Sequence, residues 1–179
     1  MATDELRAKF LEIIRANNAP PIDPTAELSA FVGNDILWTF ESDTDNWEAF
    51  LKAIGVPWVV RKMPGMMPAK GKEPDCSCKI DDQGNLTRFF FDNKTKKPVM
   101  EPEVFTLGES KKSDFSGSYM ETVTWSGGVM QRSSSVPEST ARTESWTYVS
   151  GSSLVDISLA LDEAGDVKCA YVCRYKPKA

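Results

Sequence analysis

The alternation of apolar and polar residues predicts that most of the chain is β-structure. Short runs rich in β-branched and aromatic residues recur after residue 75, and turns rich in Gly, Asp and Ser separate them. The predicted strands are Asp75–Ile80, Asn85–Phe91, Glu103–Leu107, Tyr119–Trp125, Val129–Ser134, Thr143–Val149, Leu154–Leu161 and Lys168–Tyr175. Short turns join antiparallel neighbours, whereas parallel strands need long crossovers, so the pattern indicates an antiparallel meander. A meander of this length folds into a sandwich or closes into a barrel.

Helical spacing of apolar residues occurs only near the amino terminus and before the meander. The first helix has one apolar face, made by Leu6, Phe10, Ile13 and Ile14, and it ends before Pro20. We interpret residues 1–25 as a helix and linker and residues 26–179 as the barrel domain. Acidic residues offset the basic ones of this helix, which favours docking on the barrel over membrane binding, although pairing with a partner stays open.

Between this helix and the meander, a strand is predicted from Phe31 to Phe40, followed by two short helices. Asp45 and Glu48 have the spacing of a capping box, which marks a helix start. The first short helix runs to Ile54 and stops at Gly55, and the second covers Trp58–Met63.

Composition and charge exclude several functional classes. The chain has 179 residues and a net charge of -5, so it lacks the basic excess that nucleic-acid binding requires. It has no run of about 20 apolar residues, so we expect no stable membrane insertion. Histidine is absent, which removes the commonest general base and transition-metal ligand. We therefore expect no cofactor, no metal and no enzymatic activity, although catalysis by carboxylates or tyrosine stays open.

The four cysteines indicate which cellular compartment to expect. Cys76 and Cys78, and Cys169 and Cys173, lie on predicted strands, and no secretory signal precedes them. Free thiols in the cytoplasm are the expected state. The two close thiols of the first pair make a poor zinc site without histidine.

The order of these elements, with a helix pair between the first strand and a long meander, resembles the intracellular fatty-acid-binding protein family. The lid segment Asn46–Val56 is the most specific match, and Phe31–Gly33 with Trp38, Phe105–Gly108 and Thr124–Val129 are weaker ones. The resemblance covers about Phe31 to Tyr175. It implies a closed antiparallel up-and-down barrel of ten strands with a two-helix lid, here extended by the N-terminal helix.

The resemblance also implies a ligand site inside the barrel. The residues expected to contact ligand are Trp47, Phe50, Leu51, Val56, Phe105, Arg132, Thr147, Tyr171, Cys173 and Tyr175. The family commonly holds a carboxylate with an arginine and a tyrosine two residues later on the last strand. Alternation puts Tyr175 on the cavity face and Arg174 on the other face, so the arginine partner is lost. The second family arginine falls near Thr147, and Arg132 or Arg142 is a candidate replacement.

The function predicted from the sequence is non-covalent binding and transport of a hydrophobic small molecule, such as a fatty acid or a retinoid-like ligand, by a monomer. A barrel enzyme, an isomerase or luciferase-like protein acting on a buried apolar substrate, is the alternative. An interaction module that pairs through its N-terminal helix is a third possibility. Fold alone does not choose among them.

Overall fold

Ten strands form a single antiparallel sheet in the computed structural model, which describes residues 3–32, 36–62, 74–92, 94–112, 120–135 and 142–178. The strands are β1 Trp38–Asp43, β2 Asp75–Ile80, β3 Asn85–Phe91, β4 Glu103–Thr106, β5 Ser110–Lys112, β6 Met120–Ser126, β7 Val129–Ser135, β8 Arg142–Ser150, β9 Ser153–Leu161 and β10 Val167–Pro177.

The sheet is rolled into a nearly closed barrel. Strands adjacent in sequence are adjacent in the sheet except for β4 and β5, and β1 also pairs with β10, so β4 and β5 are the two ends of the sheet. The segment after β4 reaches β6 at one point, where the Gly108 amide donates to the carbonyl of Val123 at 2.7 Å. The prediction of a closed up-and-down barrel of ten strands is confirmed, with its seam between β4 and β5.

Four helices accompany the barrel in the described part of the chain: α1 Thr3–Ala16, α2 Leu28–Phe31, α3 Trp47–Ala53 and α4 Trp58–Lys62. The last two lie between β1 and β2, as predicted for a lid. Glu48 of α3 pairs with Lys62 of α4 at 2.9 Å, which links the two lid helices. Met63 lies outside the described residues.

Two local predictions before the meander are wrong. Phe31 is not in a strand, since it ends the helical turn α2 and is buried, and β1 begins only at Trp38. The capping box does not form either. Asn46 is the N-cap of α3 and makes no side-chain cap. Its amide instead donates to the carbonyl of Ala170 at 2.8 Å, so the residue ties the lid to β10.

Strand β5 was not predicted, because two adjacent lysines, Lys111 and Lys112, are typical of a solvent-exposed loop. In the structure, Lys111 lies on β5 opposite Glu121, and its Nζ is 4.6 Å from the ring centroid of Phe105. Lys96, in the basic segment after β3, pairs with the buried carboxylate of Asp75. Tyr119, the predicted first residue of β6, lies outside the described residues.

Helix α1 packs on the outer wall of the barrel, over β8, β9 and β10. Phe10 is fully buried there, and its ring stacks on Trp146. We call this cluster the outer core; its buried members are Phe10, Ile14, Ala19, Val129, Trp146, Tyr148, Val155, Ile157, Leu159, Leu161 and Val172. The docking expected from the charge pattern of α1 is therefore observed.

The linker after α1 is held by polar contacts. The Tyr148 hydroxyl donates to the carbonyl of Pro20 at 2.7 Å. The Arg174 guanidinium donates to the carbonyls of Asn17 and Asn18 at 2.8 and 3.1 Å. Arg174 thus faces outward, as alternation predicted.

Candidate functional site

The strand register defines which residues line the inside of the barrel. Residues opposite each other on paired antiparallel strands share a face. Tyr175 is opposite Leu154, and Cys173 is opposite Asp156, which in turn faces Thr147. Following the register around the sheet gives the interior face, which includes Trp38, Phe40, Asp43, Cys76, Cys78, Leu86, Arg88, Phe90, Glu103, Phe105, Lys111, Glu121, Val123, Trp125, Met130, Arg132, Ser134, Thr143, Ser145, Thr147, Val149, Leu154, Asp156, Ser158, Ala160, Cys169, Tyr171, Cys173 and Tyr175.

The inward-facing side chains are packed less densely than the outward-facing ones. On β9 the outward residues Val155 and Ile157 have no accessible surface, whereas the inward Asp156 and Ser158 are only partly buried. The side chain of Arg132 also faces inward, and 30% of it is accessible. Protein cores normally leave few voids larger than a water molecule. The inner side of this wall is therefore not packed like an ordinary core.

One end of the interior is closed by apolar side chains, which we call the floor. Phe31 and Val32, at the end of α2, pack there against Trp38, Leu86 and Phe105. All five are buried. The helical turn that replaced the predicted strand thus serves to plug the barrel.

The other end lies under α3 and is built from aromatic rings. Trp47 and Phe50 have their ring centroids 4.8 and 5.9 Å from that of Tyr171. The Tyr171 hydroxyl donates to Asp43 at 2.7 Å. Burial raises the pKa of Tyr171, and Cys173 and Asp43 raise it further, so it stays a neutral donor. Helix α3 is therefore fixed to β10 by ring packing as well as by Asn46.

Charged and polar groups line the wall. Arg88 and Glu103 form an ion pair in which Nε donates to Oε2 at 3.0 Å. Thr147 donates to Asp156 at 2.7 Å. Arg132 lies 3.5 Å from Glu121, the longest of these contacts.

The two interior arginines differ in how well they are paired. Burial lowers the pKa of Arg88, but the Glu103 carboxylate outweighs it and the net pKa is raised. Burial also lowers the pKa of Arg132, and repulsion from Arg88 adds to this. The nearby carboxylates do not restore it, so the pKa of Arg132 is lowered. Arg132 is thus less well paired than Arg88.

The hydrogen bonds also show that Arg132 is incompletely paired. Among the described residues, Nε of Arg132 donates to no acceptor and Oε2 of Glu121 accepts from no donor. A buried polar atom without a partner is unfavourable by about 1–3 kcal/mol. Within the residues that the structure describes, the Arg132–Glu121 pair therefore contains one unpartnered donor and one unpartnered acceptor, both of them buried.

The structure brings most of the predicted site residues to the interior or to its lid. Phe105, Arg132, Thr147, Tyr171, Cys173 and Tyr175 lie on the interior face, Trp47 and Phe50 pack on Tyr171, Leu51 is buried, and Val56 follows α3 and is half-buried. Arg142 faces outward and pairs with Glu144, so it is not an interior anchor. The ligand contacts themselves remain predictions.

Sequence reasoning missed Arg88, Lys111, Glu103, Glu121 and Asp156. The signal was present for some of them, because Arg88 shares the face of Leu86 and Phe90, and Glu121 that of Val123. On β9 the signal was misleading, since Val155, Ile157 and Leu159 look like the inward face although they form the outer core.

The cysteines are unbridged, and two of them lie in the wall of β2. Burial raises the pKa of Cys78 to about 12, and it also raises the pKa of Cys76. No group of three metal-ligating side chains occurs within the described ranges. No helix in the described part of the chain is long and apolar enough to cross a bilayer.

Comparison with known proteins places this barrel among known folds. No protein-family model matches the sequence, and no curated protein matches it. Three solved structures superpose on it over most of their length. For apo lipid binding protein 8 of Caenorhabditis elegans, the TM-score is 0.65 at 18% identity, covering 86% of this chain and 99% of the other.

The second is fatty-acid-binding protein 1 of Echinococcus granulosus, with a TM-score of 0.61 at 21% identity, covering 84% of this chain and 99% of the other. The third is the Schistosoma mansoni fatty acid binding protein in complex with arachidonic acid, with a TM-score of 0.61 at 18% identity, covering 86% and 100%. This chain has the fatty-acid-binding protein fold. The fold resemblance proposed from the lid segment and strand order is thereby confirmed.

Proposed function

We propose that the protein binds a hydrophobic small molecule non-covalently inside its barrel and carries it in the cytoplasm as a monomer. The observation that carries the proposal is the accessible interior face, seen at Asp156, Ser158 and Arg132. The wall next to it is densely packed on its other side, where α1 covers it. A barrel filled with side chains would show the opposite arrangement.

The apolar floor and the aromatic rings at the lid supply the driving force for binding. Removing apolar surface from water is worth about 25 cal/mol per Å², before the loss of ligand freedom is subtracted. Phe105 and the floor would contact the apolar body, and Arg132, Thr147 and Tyr175 would orient a polar head group. Tyr171 and Cys173 would contribute to the wall under α3.

Entry of the ligand would require the lid to move. Helices α3 and α4 are short, and they are joined by the Glu48–Lys62 pair, which is largely exposed. Trp47, Phe50, Leu51 and Val56 would then form the entrance. Gating by such a lid is a common way of admitting a buried ligand.

The similar structures support binding over other roles, since they are a lipid-binding protein and two fatty-acid-binding proteins, one with arachidonic acid bound. The pKa shifts of the interior groups also favour a binding role over catalysis. Burial raises the pKa of Cys78 and Tyr175, away from neutrality. General acid–base catalysis favours groups that titrate near the working pH.

The test is a titration of the full chain with Nile red, a neutral dye that fluoresces in apolar surroundings, followed by displacement with long-chain lipids. We expect one saturable dye site that lipid empties. Ser158→Phe, which fills the interior, should abolish it, whereas Lys168→Phe, at an exposed position of β10, should not. Dye binding that survives Ser158→Phe unchanged would place the site outside the barrel and contradict the proposal.

A further inference from the structure

The interior ion pair Arg132–Glu121 restricts the chemistry of the ligand's head group. Within this pair, Nε of Arg132 and Oε2 of Glu121 are buried and have no hydrogen-bond partner in the described part of the chain, so a head group that bound here would have a donor and an acceptor to satisfy. The side chain of Glu121 is only 6% accessible, so bulk water does not satisfy it. A carboxylate, which accepts only, can pair with the arginine but leaves the glutamate oxygen unsatisfied.

Charge leads to the same restriction. The interior face carries three cations, Arg88, Lys111 and Arg132, and four anions, Asp43, Glu103, Glu121 and Asp156, in the residues that the structure describes. The formal sum is minus one. A fatty-acid carboxylate would add a fifth negative charge to this face, where repulsion opposes its binding.

Neighbouring groups do not remove the mismatch. Glu103 is engaged by Arg88, whose Nε and terminal nitrogen both donate to it. Asp156 is engaged by Thr147. Glu121 has weaker support, from Ser134 at 3.3 Å and Arg132 at 3.5 Å, both at its other oxygen. Glu121 is thus held more weakly than Glu103 or Asp156, and its buried Oε2 has no partner among the described residues.

We propose that the ligand is a neutral amphiphile whose head group both donates and accepts hydrogen bonds, such as a primary amide or an alcohol on an apolar chain, and not a free carboxylate. An amide oxygen would accept from Arg132, and its NH₂ would donate to Glu121. The inference rests on the proposed function, since it needs a ligand inside the barrel. Sites built to hydrogen-bond a donor discriminate strongly against analogues that lack it.

The experiment compares decanamide, 1-decanol and decanoate as displacers of Nile red at pH 7.4. These ligands share the chain length and differ in the head group. We expect decanamide to displace the dye at a concentration at least tenfold lower than decanoate, with 1-decanol closer to the amide. Decanoate equal to or better than decanamide would overturn the inference while leaving the proposed function standing.

Failure of all three ligands to displace the dye would overturn both. Glu121→Gln supplies a second readout, because it removes the interior negative charge and keeps the shape. It should improve decanoate binding at least tenfold and so reduce or reverse the preference. Glu144→Gln is the matched control: it removes the same charge from a buried carboxylate on the outer face of β8, and the preference should stay. An unchanged preference in Glu121→Gln would contradict the assignment to this pair.

Discussion

The ring of Phe10 lies parallel to the indole of Trp146, with the centroids 4.3 Å apart and the planes 5° from parallel. Phe10 belongs to α1 and Trp146 to the outer face of β8. Both are buried, and residues of β9 and β10 complete the cluster. The N-terminal helix is thus part of the packing that stabilises the barrel wall.

Truncating Phe10 should therefore destabilise the whole protein. Phe10→Ala removes a fully buried ring, which typically lowers the free energy of unfolding by about 3–5 kcal/mol. Glu12→Ala, on the exposed side of the same helix, should change it by less than about 0.5 kcal/mol. Urea denaturation measures both. Equal, small effects of the two substitutions would show that α1 is not docked.

The linker after α1 makes a close backbone contact at the β6–β7 turn. A Cβ on Gly128 would lie 2.0 Å from the carbonyl oxygen of Asp23, whereas a Cβ on Gly127 meets nothing within 4 Å. Both glycines have positive φ, 56° at Gly127 and 75° at Gly128, so an alanine is strained at either.

We predict that Gly127→Ala lowers the free energy of unfolding by about 1 kcal/mol, as expected for strain at positive φ alone. Gly128→Ala should lower it more, because it also displaces the linker. Limited proteolysis within residues 17–25 should accelerate only in Gly128→Ala. Identical behaviour of the two variants would contradict the position of the linker.

The strand bounds were largely predictable because Asn85–Phe91 and its neighbours lie between clear turns. The helical position of Phe31 was not predictable, because two adjacent apolar residues, Phe31 and Val32, fit a strand as well as a single helical turn. The capping box failed because Asn46 has a tertiary partner, the carbonyl of Ala170, that no local pattern reveals.

Stability should fall at high pH, because folding keeps buried thiols protonated. Burial raises the pKa of Cys78 to about 12, against about 8.5 for an unfolded thiol. Above pH 8.5 the unfolded chain loses this proton while the folded chain keeps it. The contribution to stability is thus full below that pH and is lost as the pH rises toward 12, by at most about 1.4 kcal/mol per pH unit.

The measurement is urea denaturation under reducing conditions at pH 8.5 and 10.5. The decrease should be about 2 kcal/mol larger in the wild type than in Cys78→Ala, which lacks the thiol. A thiol that is accessible in the folded state would give the same decrease in both proteins.

The packing of the lid helices predicts that two tryptophans differ in their effect on ligand release. Trp47 packs on Phe50 and Tyr171, whereas Trp58 of α4 is 64% exposed. Trp47→Ala should loosen α3 and raise the dissociation rate of Nile red about tenfold, equivalent to about 1.4 kcal/mol. Trp58→Ala should leave that rate unchanged. Stopped-flow fluorescence measures it, and equal rates in the two variants would show that Trp47 does not hold the entrance closed.

The site was harder to predict than the fold. Alternation correctly placed Tyr171, Cys173 and Tyr175 inside, since one face of β10 is continuous. It failed for Asp156, because the apolar residues on either side of it suggested that their own face was inward. Strand β9 is most apolar on its outer face because that face packs against α1, and no pattern within the strand indicates this contact.

Ligand binding inside the barrel requires an open interior next to a closed outer core. Methyl NMR of the protein titrated with decanamide tests this directly. Val123 and Leu154 face inward, and Val155 and Leu159 belong to the outer core. We predict saturable shifts of the Val123 and Leu154 methyls at one ligand per chain, with the Val155 and Leu159 methyls unmoved. Shifts confined to the outer core, or no saturable shift at all, would contradict the account.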